Sequence, residues 1–214
     1  VSRINKRGAS HGTSDPGAAG AGDCIVLASA SPRRAALLRM LDLRFRVAPH
    51  GLAEMLRPGE PPIETARRLA AEKAAAAQTM TELEPREVLL AADTIVVLDG
   101  RVFGKPASRA EARLTLESLS GREHQVISAV ALYAPETDSM HVDHDCSAVR
   151  FRSMSPADVE WYLDTREWRD AAGGYKAQGR GAWFVEAVHG SFYSVMGLPI
   201  HCLYSILRLV SFRF

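Results

Sequence analysis

Two hydroxyls, a proline and two adjacent arginines follow a short apolar run at Ile25-Val-Leu-Ala-Ser29-Ala-Ser31-Pro32-Arg33-Arg34. Their chemistry is that of an anion site. The run is apolar and β-branched enough for a buried strand, and Pro32 suits the first position of a helix continuing to Met40. Ser29, Ser31, Arg33 and Arg34 then fall at a strand-to-helix turn. Helix N–H groups, the positive end of the helix dipole and two guanidiniums converge there, and phosphate is the natural occupant. A capped surface helix with solvated arginines is the plainer reading of the same residues.

Asp93 is the second informative residue. It interrupts Val88-Leu-Leu-Ala-Ala-Asp-Thr-Ile-Val-Val-Leu98, which otherwise reads as a buried strand. A buried carboxylate costs several kcal/mol unless a cation, a metal or hydrogen bonds compensate it. Glu72-Lys73 in an alanine-rich stretch and Lys105 between Gly104 and Pro106 are candidate partners. Each is weak alone, a solvated helix face in one case and a common turn in the other. Together, hydroxyls, arginines, lysines and carboxylates form a set that can bind a polyphosphate and a divalent cation.

The elements that must position these groups alternate between helix and strand without an internal repeat, which predicts an α/β or α+β protein. A helix is expected over Pro61 to Met80, with Leu69, Ala70, Lys73 and Ala77 spaced for helical faces. Asp99-Gly100 predicts a tight turn into a short strand at Arg101-Val-Phe103. Ser108 with Glu111 has the spacing of a capping box opening a helix to Leu119. His124 to Tyr133 and His141 to Phe151 are expected to pair as an antiparallel hairpin around Ala134-Pro-Glu-Thr-Asp138. Ser155-Pro156-Ala157-Asp158 opens a further helix. A glycine-rich loop at 172–179, a strand from Trp183 to Val188 and a helix from Leu198 to Leu209 complete the reading. Alternation sends His141 and His144 to opposite faces, which argues against a metal cluster with Asp143 and Asp145. Trp161, Tyr162 and Trp168 read as packing residues, and Tyr175 as a possible lining of a pocket beside Gln178.

With 214 residues, 47% of them hydrophobic, the chain can bury a substantial core. A formal net charge of +1 argues against a partner recognised by bulk charge, so nucleic acid and anionic membrane are not expected. Cys24, Cys146 and Cys202 lack the paired spacing of a zinc site or disulfide framework and read as reduced thiols of a cytoplasmic protein. Residues 1–22 lack the apolar centre of a secretory signal and are rich in Gly, Ala and Ser. They are expected to be a disordered tail preceding one domain at 23–214.

Leu27-Ala-Ser-Ala-Ser-Pro-Arg-Arg34, Glu72-Lys73-Ala74, Ala92-Asp93-Thr94, Gly104-Lys105-Pro106, Leu119-Ser-Gly-Arg122, Gly174-Tyr175, Gln178-Gly179 and Val195-Met-Gly-Leu-Pro199 follow one another in a familiar order. In order and spacing this set resembles the Maf family of nucleoside triphosphate pyrophosphatases, also called septum-formation inhibitors, over residues 24 to about 209. The resemblance implies an elongated, twisted mixed β-sheet flanked by helices, with two lobes around a cleft, as in inosine triphosphatase-like proteins. It implies hydrolysis between the α and β phosphates, giving a nucleoside monophosphate and pyrophosphate, and a homodimer.

By the same resemblance, Asp93 takes the place of the proton acceptor, and Glu54 that of a metal- or water-associated glutamate. Asp93 and Glu54 would share a divalent cation, and oxygen ligands point to Mg²⁺ or Mn²⁺. Ser29, Arg34, Lys73 and Lys105 would grip the phosphates, Lys73 and Lys105 with a catalytic role. Arg33, Thr94 and Gln178 stand at positions tied to substrate choice and match the branch acting on dTTP and UTP. The 7-methyl-GTP branch tends to carry Trp, Gln and Glu there. Ala53 and Ala171 depart from the family's common Asp and Lys. They motivate an alternative, a nucleotide-binding regulatory protein of division control with weak turnover. A pyrophosphatase for a modified nucleotide is a further alternative.

Overall fold

A seven-stranded mixed sheet runs through the computed structural model, which describes residues 22–49, 51 and 55–214. The tail expected over 1–22 lies outside the described residues except for Gly22, and so do Ala53 and Glu54. In chain order the elements are β1 (Cys24–Leu27), α1 (Pro32–Met40), β2 (Phe45–Val47), α2 (Pro62–Met80), β3 (Glu87–Leu98), β4 (Arg101–Phe103) and α3 (Arg109–Leu119). Next come β5 (Glu123–Ala134), β6 (Ser139–Phe151), α4 (Pro156–Asp164), β7 (Val185–His189), α5 (Phe192–Met196) and α6 (Ile200–Leu209). The strand order is β2-β1-β3-β5-β6-β7, with β4 also paired to β3. This is the mixed, helix-flanked α/β sheet expected from the sequence.

β3 is the axis of the molecule. One edge pairs continuously with β5, from Leu89 opposite Tyr133 to Val97 opposite Gln125. The other edge is divided. β1 runs parallel to it as far as Leu90, and β4 runs antiparallel to it from Val96. Among the described residues no strand pairs with that edge between those points, and Asp93 and Thr94 lie inside the gap.

Alternation along β3 distributes its side chains over two faces. Val88, Leu90 and Ala92 join α1 and α6 in one apolar cluster, while Val96 and Leu98 join α3 and α4 in a second. These two clusters form the lobes on the front face. Leu89, Ala91, Ile95 and Val97 point to the back, where α2 lies. Ala66, Ala70, Ala74 and Ala77 are completely buried there, against Ala91, Ala129 and Ala131 of the sheet. Small residues on both sides bring the helix close, which lets Lys73 reach β3.

The elements follow their local signals with a few informative departures. Asp99 and Gly100 both take positive φ, as a tight hairpin turn requires. Ser155 and Asp158 form a full capping box on α4. On α3, Ser108 caps the Glu111 N–H, but the Glu111 carboxylate bonds the Ala107 N–H at 2.8 Å instead of closing the box. Trp183 lies in a 3₁₀ turn over Arg180–Phe184, so the strand begins at Val185. The final helix begins at Ile200 instead of Leu198, and the short α5 ahead of it ends at Gly197 with φ of 110°. The hairpin of β5 and β6 pairs along its whole length, with His141 opposite Leu132 and His144 opposite Ala129 on different faces.

The close α2 contact generates a test. Ala70→Leu forces a branched side chain into a space with no room for it and should cost about 1–3 kcal/mol, read as a lowered urea midpoint with an unchanged m-value.

Candidate active site

A cleft of about 440 Å³ opens on the front face between the two lobes, where the β3 edge is divided. The start of α1 forms one wall, and the loop 170–178 forms another. Thr94 and Asp93 lie at its floor, with Lys73 and Lys105 alongside. All eight described sequence candidates, Ser29, Arg33, Arg34, Lys73, Asp93, Thr94, Lys105 and Gln178, come together here.

The strand-to-helix turn forms as its sequence dictates. β1 is buried at Ile25, Val26 and Leu27, and the chain turns at Ser29–Ser31 before Pro32 opens α1. The Ser31 N–H donates to Ser29 Oγ at 3.2 Å, but no side chain caps the helix and no acidic residue lies in its first turn. The helix end therefore keeps the positive character that favours an anion.

Arg34 braces this turn and ties it to two other parts of the chain. Its Nε donates to the Gly197 carbonyl at 2.8 Å, Nη1 to Ser29 Oγ at 3.0 Å and Nη2 to Thr94 Oγ1 at 3.4 Å. Arg33 donates from Nε to the Met196 carbonyl and from Nη2 to the Asp170 carbonyl. Burial pulls its guanidinium below the usual range, and the charge of Asp170 opposes that shift. Neither arginine is a loosely solvated surface group.

Asp93 is 2% exposed, and Lys73 Nζ donates to its Oδ1. The ammonium on α2 thus meets the buried carboxylate on the back face of β3, while its neighbour Thr94 belongs to the front. The gap in the sheet edge opens both to the same cleft. Among the described residues no group of three or more His, Cys, Asp or Glu could hold a metal by itself. The donor set still fits a hard cation that takes one or two carboxylates and completes its shell with substrate phosphates and water.

Sequence reasoning missed some of the lining. Lys176 and Asp170 line the cleft, as do Val195, Met196 and Gly197 of a motif to which no role in the site was given. Lys176 stands two residues before Gln178, a spacing that could have flagged it. The Met196 and Gly197 contributions are backbone carbonyls, for which side-chain chemistry gives no signal. Ala171 is 1% exposed and is not part of the cleft lining.

Tyr175 lines the cleft from a buried position and shares a 2.8 Å hydrogen bond with His124 Nε2. His124 packs edge-on against Phe151 and Tyr175, and its Nδ1 finds no partner among the described residues. Burial pushes its pKa down to about 4. In the unfolded chain the group titrates near 6.5, so the unfolded state binds the proton first as pH falls. This contribution to stability is complete above about pH 6.5 and is lost on the way down to about pH 4, amounting to about 3 kcal/mol. Urea midpoints taken from pH 8 to pH 4 should show it as a slope present in the wild type and reduced in His124→Gln.

Cations on several walls around a buried carboxylate define a phosphate-handling α/β enzyme. The family model described as Maf-like protein matches residues 24–210, and the chain belongs to that family. It is 43% identical over 185 residues to a dTTP/UTP pyrophosphatase of Aquifex aeolicus, covering 86% of this chain and 94% of that protein. It is 44% identical over 177 residues to a dTTP/UTP pyrophosphatase of Symbiobacterium thermophilum, covering 83% and 89%. A Pyrococcus furiosus protein of the same description is 39% identical over 186 residues, covering 86% and 94%. Among solved structures, the Staphylococcus aureus Ham1 protein aligns with a TM-score of 0.40 at 18% identity, over 60% of this chain and 72% of that one.

Proposed function

We propose that this protein hydrolyses dTTP and UTP to the nucleoside monophosphate and pyrophosphate. The observation that carries the reading is the buried Asp93–Lys73 pair at the floor of a cleft also walled by Ser29, Arg34 and Lys105. The relatives described as dTTP/UTP pyrophosphatases support the choice of substrate. Arg33, Thr94 and Gln178 agree with it, since together they offer both a donor and an acceptor to the O4 and N3–H edge of a pyrimidine.

Chemically, water attacks the α-phosphorus, the bond from that phosphorus to the bridging oxygen breaks, and pyrophosphate leaves. Asp93 accepts the proton of the attacking water, and its ionised form is sustained by the Lys73 ammonium beside it. Arg34, Ser29 and the first turn of α1 orient the phosphate chain, while Lys105 and Lys73 offset charge gathering on the departing pyrophosphate. A divalent cation, Mg²⁺ or Mn²⁺, would be held by Asp93, by Glu54 outside the described residues and by the substrate, and would supply Lewis-acid charge against the phosphates.

We place the protein in the cytoplasm as a homodimer. Free thiols at Cys24, Cys146 and Cys202 support the first assignment. The half-exposed Trp161 on α4 offers apolar surface for the second. No helix among the described residues is long and apolar enough to cross a membrane. The regulatory alternative rested on Ala53 and Ala171. At Ala171 it loses its motive, because that side chain turns into the fold while Lys176 brings an ammonium to the cleft.

Incubation with Mg²⁺ or Mn²⁺ and a panel of dTTP, UTP, CTP, GTP and 7-methyl-GTP should release pyrophosphate, not phosphate, from dTTP and UTP. Asp93→Asn should lower kcat by at least about 100-fold while nucleotide still binds. Retained wild-type turnover in that variant would remove Asp93 as proton acceptor. Gln178→Glu should weaken the preference for pyrimidines, measured as the ratio of kcat/KM for UTP to that for 7-methyl-GTP.

A further inference from the structure

Between the two apolar lobes, the front face of the sheet carries a buried polar seam. Thr94 on β3 stands directly opposite Ser128 on β5, and their hydroxyl oxygens are 2.9 Å apart. Ser128 is completely buried, and its Oγ donates to the Ser194 carbonyl of α5 at 2.7 Å.

This short chain of bonds has a fixed direction. A carbonyl has no proton, so two oxygens 2.7 Å apart must be joined by the proton of Ser128. Ser128 has only that proton. The 2.9 Å contact to Thr94 must therefore be filled by the proton of Thr94. Arg34 Nη2 approaches Thr94 Oγ1 from another side at 3.4 Å, again as a donor. Gly197 packs beside it as well, since a Cβ there would lie in ordinary contact with Thr94 Oγ1 at 3.4 Å. What Thr94 has left for the cleft is a lone pair.

An oxygen that only accepts repels phosphate oxygens and takes an N–H or O–H. We infer that Ser128 is a positioning residue that commits the Thr94 hydroxyl to accept hydrogen bonds from the cleft. Thr94 thereby reads the N3–H imide that uracil and thymine share and that cytosine, with a bare ring nitrogen, lacks. The inference rests on the pyrimidine triphosphate reading above and adds the element that separates UTP from CTP. A site built to accept a donor rejects its absence more strongly than any change of size, because a buried acceptor is left facing another acceptor.

The test measures kcat and KM for UTP, CTP and 3-methyl-UTP with the wild type, Ser128→Ala and Thr94→Ala. Removing the Ser128 hydroxyl frees the Thr94 proton to turn toward the cleft. The ratio of kcat/KM for UTP over CTP should then fall about tenfold, chiefly through a lower KM for CTP. A ratio within twofold of wild type, in a variant with the wild-type melting temperature, overturns the inference. Should Ser128→Ala fail to fold, the wild type decides. Its kcat/KM for 3-methyl-UTP should lie at least about 100-fold below that for UTP, with the gap narrowed in Thr94→Ala. Equal use of both substrates by the wild type overturns the inference. If no triphosphate is hydrolysed, the functional reading fails, and the same ratios taken from nucleotide dissociation constants still decide the role of Ser128.

Discussion

The rest of this structure depends on one constraint, that a carboxylate placed in the middle of a sheet, away from bulk water, needs a compensating partner. Asp93 meets it through Lys73, which approaches from the opposite layer. That requirement reaches far into the sequence. α2 must lie close enough for a lysine stem to span the gap, and its alanine face makes the close approach. β3 must be open at one edge so that the pair is not sealed from substrate, and β1 and β4 stop on either side of it. Replacing such a pair by apolar residues could stabilise the fold, since buried ion pairs are weak sources of stability. Its presence at the floor of a cleft is therefore an argument for chemistry.

The front wall obeys a second constraint, that guanidiniums brought together must be held apart by something other than each other. Arg33 and Arg34 are neighbours in sequence, and both lean on backbone carbonyls at the α5–α6 junction. Met196 and Gly197 thus set the arginines at fixed positions before any anion arrives. Such preorganisation costs no reorganisation when charge develops. Arg34 links α1, β3 and the residue that follows α5.

Much of this was legible in the chain, and the limits have physical causes. The strand-turn-helix at 25–40 was readable because Pro32 and the apolar run each restrict the backbone on their own. The Asp93 anomaly was readable because one charged residue in an apolar run demands compensation. Its partner could not be chosen from local pattern, since a lysine on a helix and a lysine in a turn look alike until the fold brings one of them near. α5 escaped because five residues carry too little period to register, and the 3₁₀ turn at Trp183 because an apolar aromatic there resembles the start of a strand. The carbonyls that hold the arginines carry no side-chain signature at all. The buried serine seam was equally silent, since serine belongs to surfaces, turns and caps as readily as to an interior hydrogen-bond chain.

From Val88 to Leu98, β3 is apolar on both faces except at Asp93 and Thr94. Hydrophobic pattern alone cannot say which side of this strand belongs to α2. Strand register is loosely specified wherever both faces look alike, and a slip of one residue exchanges them. Here such a slip would set Thr94 against the alanines of α2 and carry Asp93 away from Lys73 to the face of α5. The two residues at the floor of the cleft are thus also the marks by which the β3–β5 ladder finds its alignment. A chain that folded out of step would lose its reactive centre and its native pairing in a single error.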